Sequence, residues 1–290
     1  MVRSKRVLRL PSPSALKRLR ALKWRQCPER RLRHERDVAE FLRELGLCLI
    51  VPVPRLPLPS WIEAAEGRRF THSTATRRRS DQPRAQGLKA ALDNLIQQRV
   101  VFETNCLWRA PVLVARELFP SLYAIAGDLN PEEDYLEQQR RGELGTFAVA
   151  VYETILREGP VVRADLQKNF GFSTGRELEA LGKTLNQLSR TIKIVRASHT
   201  PEHGPAWDAF YRWAPEVVRE ARSVTRLEAA MKIVAAFISE SIVVARAAAQ
   251  KLFSGFLTPE VCGRAIDLLI ESGQLVESRK KLAVATFLSR

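Results

Sequence analysis

The chain has 290 residues, 45% of them hydrophobic, enough for two or three domains with cores of their own. No run of 18 or more apolar residues occurs, which excludes a transmembrane helix. Its 47 Lys and Arg outnumber 32 Asp and Glu, and the net charge of +15 favours a polyanion such as DNA, RNA or an anionic membrane surface.

The surplus is uneven. Residues 1–36 carry thirteen Arg or Lys against Glu29 and Glu35, which reads as a basic N-terminal arm. Freedom from acid through residue 28, with Arg and Ser, also suits a transit peptide. A basic arm on a DNA-binding chain is the commoner pattern. Cys27, Cys48, Cys106 and Cys262 are scattered with no Cys-x-x-Cys pair, so neither a zinc site nor a disulfide framework is indicated, and a reducing, cytoplasmic setting follows.

Residues 37–140 form the expected N-terminal domain. Asp37 to Leu45 reads as a short helix ending at Gly46. Leu47 to Pro59 holds prolines at 52, 54, 57 and 59, which forbid a regular helix and suggest a buried extended segment. The stretch 66–86 reads as a basic loop, and Arg77, Arg78 and Arg79 within it are candidate phosphate contacts. Leu88, Leu92, Leu95 and Ile96 recur at helical spacing. Glu117 to Ala126 reads as helix despite Pro120, and the acidic stretch Glu132, Glu133, Asp134 reads as a solvated hinge.

A unit then appears twice, at Glu158–Gly171 and again at Glu240–Gly255. Each copy has the order helix, Val-Val segment, short helix, turn, longer helix, two short strands. That is the order of a winged helix, a helix-turn-helix module whose later helix commonly enters the major groove. The expected fold is therefore mainly α with small β wings, an α+β class built from tandem winged helices. Residues 141–220 form the central module and 221–290 the C-terminal one.

In the central module Ser173 or Thr174 can cap a helix running to Ser189, with Leu178, Leu181, Leu185 and Leu188 inward. Arg176, Lys183, Gln187 and Arg190 fall on its outward rows. Ile192 to Arg196 reads as one wing strand and Trp207 to Trp213 as the return, which places Lys193, Arg196 and His199 as wing contacts to DNA and puts Trp207 and Trp213 on one face. In the C-terminal module only Arg264 lies well placed on the third helix, while Asp267 and Glu271 add negative charge. That module reads as structural.

Phe41-Leu-Arg-Glu-Leu-Gly-Leu47, Arg99-Val-Val-Phe-Glu103, Glu117-Leu-Phe-Pro-Ser-Leu-Tyr123, Ile155-Leu-Arg-Glu-Gly-Pro160 and Ala206-Trp-Asp-Ala-Phe-Tyr211 come in an order and at spacings that resemble the AlkZ/YcaQ family of bacterial DNA glycosylases. The resemblance implies tandem winged helices and hydrolysis of the N-glycosidic bond in alkylated or cross-linked DNA. It also implies a signature of Gln, an apolar residue, then Gln or Asp. Here Leu49 and Val51 stand at those positions, and no His lies near Trp108 and Arg109 where the family has one. Two aliphatic side chains cannot polarise water.

The expected partner is double-stranded DNA, with no small-molecule cofactor, no metal and no membrane, in the cytoplasm at the nucleoid. His199-x-x-x-His203 lacks a third ligand for a metal. Two other readings stay open: an active glycosylase that uses a residue outside the family's positions, and a winged-helix module that binds protein or RNA.

Overall fold

Three stretches of the chain, not two, build the same order of helix, short strand, helices and two-stranded hairpin. The computed structural model describes residues 10–70, 83–108, 110–200, 202–284 and 286. Helix α1 (Pro13–Lys23) comes first, capped by Ser12, whose hydroxyl accepts from the Ala15 amide. The first unit runs α2 (Glu35–Leu45), β1 (Leu47–Leu49), α3 (Trp61–Glu66), α4 (Pro83–Gly87), α5 (Lys89–Gln97), β2 (Val101–Thr104) and β3 (Val112–Ala115). Two helices, α6 (Phe119–Ala126) and α7 (Asp134–Arg140), lead to the second unit.

That unit holds α8 (Thr146–Glu158), β4 (Val161–Val162), α9 (Arg163–Asn169), α10 (Gly175–Arg190), β5 (Ile194–Thr200) and β6 (Gly204–Ala209). Helices α11 (Phe210–Trp213) and α12 (Pro215–Ala221) connect it to the third unit. The third holds α13 (Arg226–Ser241), β7 (Val243–Ala245), α14 (Arg246–Phe253), α15 (Pro259–Glu271), β8 (Leu275–Ser278) and β9 (Lys281–Val284). Each sheet is antiparallel with its last strand in the middle: β1-β3-β2, β4-β6-β5 and β7-β9-β8. The fold is mainly α with small β wings, in tandem winged-helix units. No helix among the described residues is long and apolar enough to cross a membrane.

Local chemistry sets the boundaries. In α2 the buried Val38, Phe41, Leu42 and Leu45 fall at i, i+3, i+4 and i+7, one helical stripe. Gly46 follows with φ +73°, a left-handed turn that an L side chain rarely adopts. Thr174 starts α10 with a reciprocal cap, its hydroxyl accepting from Glu177 N while the Glu177 carboxylate accepts from Thr174 N. Thr225 and Glu228 do the same for α13.

The return strand of the central wing is shorter than its sequence pattern suggests. β6 stops at Ala209, because the Phe210 amide donates to Lys193 O and the chain turns into α11. The Arg212 guanidinium then donates to Leu156 O and Ile155 O at 2.7 and 2.9 Å, capping the end of α8. Trp207 and Trp213 consequently do not share a face: Trp213 joins the large shared core, and Trp207 lies against the central unit's own core.

The shared core ties the units together. It draws on β1, β2 and β3 of the first unit, on α6, on α11 and α12, and on α13 and α15 of the third. Phe102 meets Phe119 edge-on at 4.3 Å between ring centroids, and Trp108 packs against both Phe237 and Phe253 at 5.3 and 5.9 Å.

The basic N-terminal stretch is an internal strap over its described length rather than an arm. Ile242 ends α13 at φ +64°, which leaves the carbonyls of its last turn without the i+4 amides of a continuing helix. The Arg20 guanidinium donates to Ser241 O and Val243 O at 2.8 and 3.0 Å, the Lys23 ammonium to Ser239 O at 2.6 Å, and the Trp24 indole to Glu240 O at 2.9 Å. Two cations at a helix C-terminus also complement its dipole. Leu10, Leu16 and Leu19 pack on Ile242, Val243 and Ala283 beside them.

Glu240 is buried 3.1 Å from Lys23, yet its desolvation outweighs that partner and pushes its carboxyl up to about 8. A carboxyl raised in the folded state contributes most below its ordinary value of 4.5, and that contribution is lost as pH rises towards 8. Glu240→Gln, which cannot ionise, is expected to gain stability relative to the parent across pH 5–8, by up to about 1.4 kcal/mol per pH unit. Paired thermal melts at several pH values measure this, and a difference that does not vary with pH would refute it.

Candidate nucleic-acid interface

The residues that sequence marks as DNA contacts divide into three groups. Arg77, Arg78 and Arg79 lie outside the described residues. The chain on either side of that segment is fastened by one short helix. From α3, Glu63 Oε1 accepts from Phe70 N at 2.8 Å, and Glu66 Oε1 accepts from Arg84 N and Ala85 N at 3.1 and 3.2 Å. Both carboxylates are buried. Sequence reading overlooked them, although Ser60-x-x-Glu63 is a capping pattern, and the Ser60 hydroxyl does accept from Glu63 N.

The second group is the outward row of α10. Arg176, Lys183, Gln187 and Arg190 are all exposed, while Leu181, Leu185 and Leu188 are buried. Lys183 pairs with Glu179 one turn away at 2.6 Å, and Gln187 donates to Glu143 O at 3.4 Å. The Arg163 guanidinium donates to Leu178 O at 2.8 Å.

The third group, the wing, faces inward, which corrects the expected placement of Lys193, Arg196 and His199. Lys193 is buried and its ammonium is ion-paired with Asp128 in the loop after α6. Arg196 Nη2 lies 3.1 Å from Asp93 of α5 and 3.3 Å from Glu103 of β2. His199 lies 3.5 Å from Asp93 and 3.0 Å from Lys89 Nζ. A β-bulge at Ala197 explains the convergence. Residues three apart on a regular strand point to opposite faces, but here Arg196 pairs with Trp207 and His199 with Pro205, two residues apart on the partner strand. Both therefore turn to the face that meets the first unit.

At the positions of the resemblance's signature, Leu49 closes β1 fully buried and Val51 is half-buried, so the structure offers no polar atom from either side chain.

A cavity of about 1000 Å³ lies between α1, the segment Pro52–Leu58, and α14 with β7. The two basic segments that look separate in sequence meet on its lining, Lys17 and Arg20 from α1 with Arg69 from the start of the loop, joined by Arg55. Glu63 is the acid on its floor. Its Oε2 accepts from the Ser60 hydroxyl at 3.0 Å and from the Gln26 amide at 2.7 Å, and burial raises its carboxyl despite these donors. Burial first, and then the charge of Arg69, lowers the Arg20 guanidinium.

A family model described as AlkZ related matches residues 105–254. Among solved structures, the Streptomyces sahachiroi DNA glycosylase AlkZ is similar, with a TM-score of 0.53 and 10% sequence identity over 91% of this chain and 69% of that one. No curated protein matches the sequence.

Lys193→Ala leaves Asp128 buried without its cation and is expected to destabilise the protein by about 3–5 kcal/mol. Arg176→Ala, on the exposed row, should change stability by less than about 0.5 kcal/mol. Urea denaturation of the two variants checks the contrast, and equal effects would contradict this division.

Proposed function

The chain belongs to the AlkZ-related family, and from that premise we propose that it is a DNA-binding tandem winged-helix protein, related to DNA-repair glycosylases, that lacks their glycosylase chemistry. The observation that carries the reading is the exposed row Arg176, Lys183, Gln187 and Arg190 on the third helix of the central unit. In a winged helix this is the helix that suits the major groove. The partner is double-stranded DNA, and the Arg77–Arg79 segment adds phosphate contacts; the described chain on either side of it is pinned by Glu63 and Glu66. Lys193, Arg196 and His199 leave the contact set, because each is turned inward and none is exposed, unlike the row on α10.

The absence of family chemistry rests on side-chain type. Leu49 and Val51 can neither orient nor deprotonate a water. A second reading, glycosidic hydrolysis by another group, is favoured by Glu63, a buried carboxyl on the floor of the cavity of about 1000 Å³. Both its oxygens, however, already accept from Phe70, Ser60 and Gln26. That makes it a fastener of the loop and of the N-terminal segment.

Replacing Arg77, Arg78 and Arg79 together with alanine is expected to weaken binding to all duplex sequences alike. The slope of log affinity against log salt should flatten by about one unit per lost contact. Titrations at several salt concentrations measure the slope, and an unchanged one would remove this segment from the interface. Incubation of the purified protein with alkylated duplexes is expected to release no base and leave no abasic sites. Release above background, abolished by Glu63→Gln, would establish the second reading instead.

A further inference from the structure

The cavity between α1, Pro52–Leu58 and α14 has a character that the third helix of the central unit does not share. Its walls are largely apolar, with Leu16, Val53, Leu56, Leu252 and the ring of Phe70. Its cations are Lys17, Arg55 and Arg69, all exposed and without an ion pair among the described residues, whereas Arg20 is engaged with the carbonyls at the end of α13. The volume of about 1000 Å³ is at the upper end of what small ligands fill. A duplex is far too wide to enter. On the floor, Gln26 directs its amide nitrogen to Glu63, and its carbonyl oxygen has no donor among the described residues. A ligand that suits all of this has a weakly polar body that can stack on the Phe70 ring or a guanidinium plane, a hydrogen-bonding edge and flanking negative charges.

We propose that this cavity receives a single unpaired nucleotide of a DNA strand. The base lies between the apolar walls with its edge towards Gln26, and the flanking phosphates lie against Lys17, Arg55 and Arg69. Bases stack on aromatic rings and guanidinium planes without regard to sequence. The cations draw in the backbone, which apolar walls alone could not hold. The proposal rests on the reading of DNA as the partner and adds what part of the DNA the cavity selects: a nucleotide already unpaired, for which no pairing energy has to be given up.

Ala248 provides a test that leaves charge and core unchanged, since it lines the cavity and is exposed near the start of α14. Fluorescence anisotropy compares a fully paired duplex with one carrying a single unpaired nucleotide, for the parent and for Ala248→Trp. The parent is expected to prefer the unpaired-nucleotide duplex by about tenfold, the value of one stacked base. Ala248→Trp, with the cavity filled, should bind both at the parent's affinity for the paired duplex. The double variant Arg55→Ala and Arg69→Ala should lose the preference as well, so the result does not depend on one substitution. Equal binding of the two duplexes by the parent, or a preference that survives Ala248→Trp, would overturn the proposal while duplex binding stands. Failure of the parent to bind either duplex would overturn both the proposal and the DNA reading beneath it.

Discussion

A buried cation has to be given an oxygen, and that requirement sorts the basic residues of this chain. Lys193 is given Asp128, Arg196 is given Asp93 and Glu103, and Arg212 is given Asp208 and two carbonyls of α8. Arg20 and Lys23 are given the carbonyls that α13 leaves open at its end. These partners come from distant parts of the chain, so each cation joins two elements as well as satisfying itself. Among the described residues, the outward row of α10 and Lys17, Arg55 and Arg69 at the cavity stay in water. The number of Lys and Arg in the chain therefore overstates how many a partner can reach.

The helices of the second and third units were legible because their signals are local. Leu181, Leu185 and Leu188 repeat at helical steps, Thr174 and Thr258 cap, and Gly171 and Gly273 follow helix ends in the left-handed region. The first unit was not legible as a winged helix. Its β1 has three residues, its α3 has six, and the proline-rich segment between them interrupts any period. Only the pairing of β1 with β3, which sets Leu47 opposite Val114 far along the chain, discloses the sheet. The wing was misplaced for a related reason. A bulge at Ala197 turns Arg196 and His199 to one side, and the acids they meet lie about a hundred residues earlier, beyond any local pattern.

The N-terminal strap shows how composition can mislead. Thirteen cations in 36 residues describe a polyelectrolyte, yet Ser12 followed by Pro13 starts a helix, and Leu16 and Leu19 give it an apolar side that packs on Val243 and Ala283. The cations on this helix then have a second use as caps. Charge counting sees the monopole and misses the carbonyls it answers, because those belong to a helix some 220 positions away.

The docked wing and the strap together bear on how the proposed interface would work. A tandem array joined by free linkers would order its modules only on binding, and that loss of freedom would subtract from affinity. Here the wing of the central unit is held on α5 and β2 by Arg196, the third unit is held on α6 by the shared core, and α1 with the residues just after it spans from α13 to Glu63 of α3. The exposed row of α10 and the basic cavity are thus set at fixed positions before any partner arrives. The cations turned inward are what make that fixed arrangement, and so they act on recognition by placing the contacts that others make.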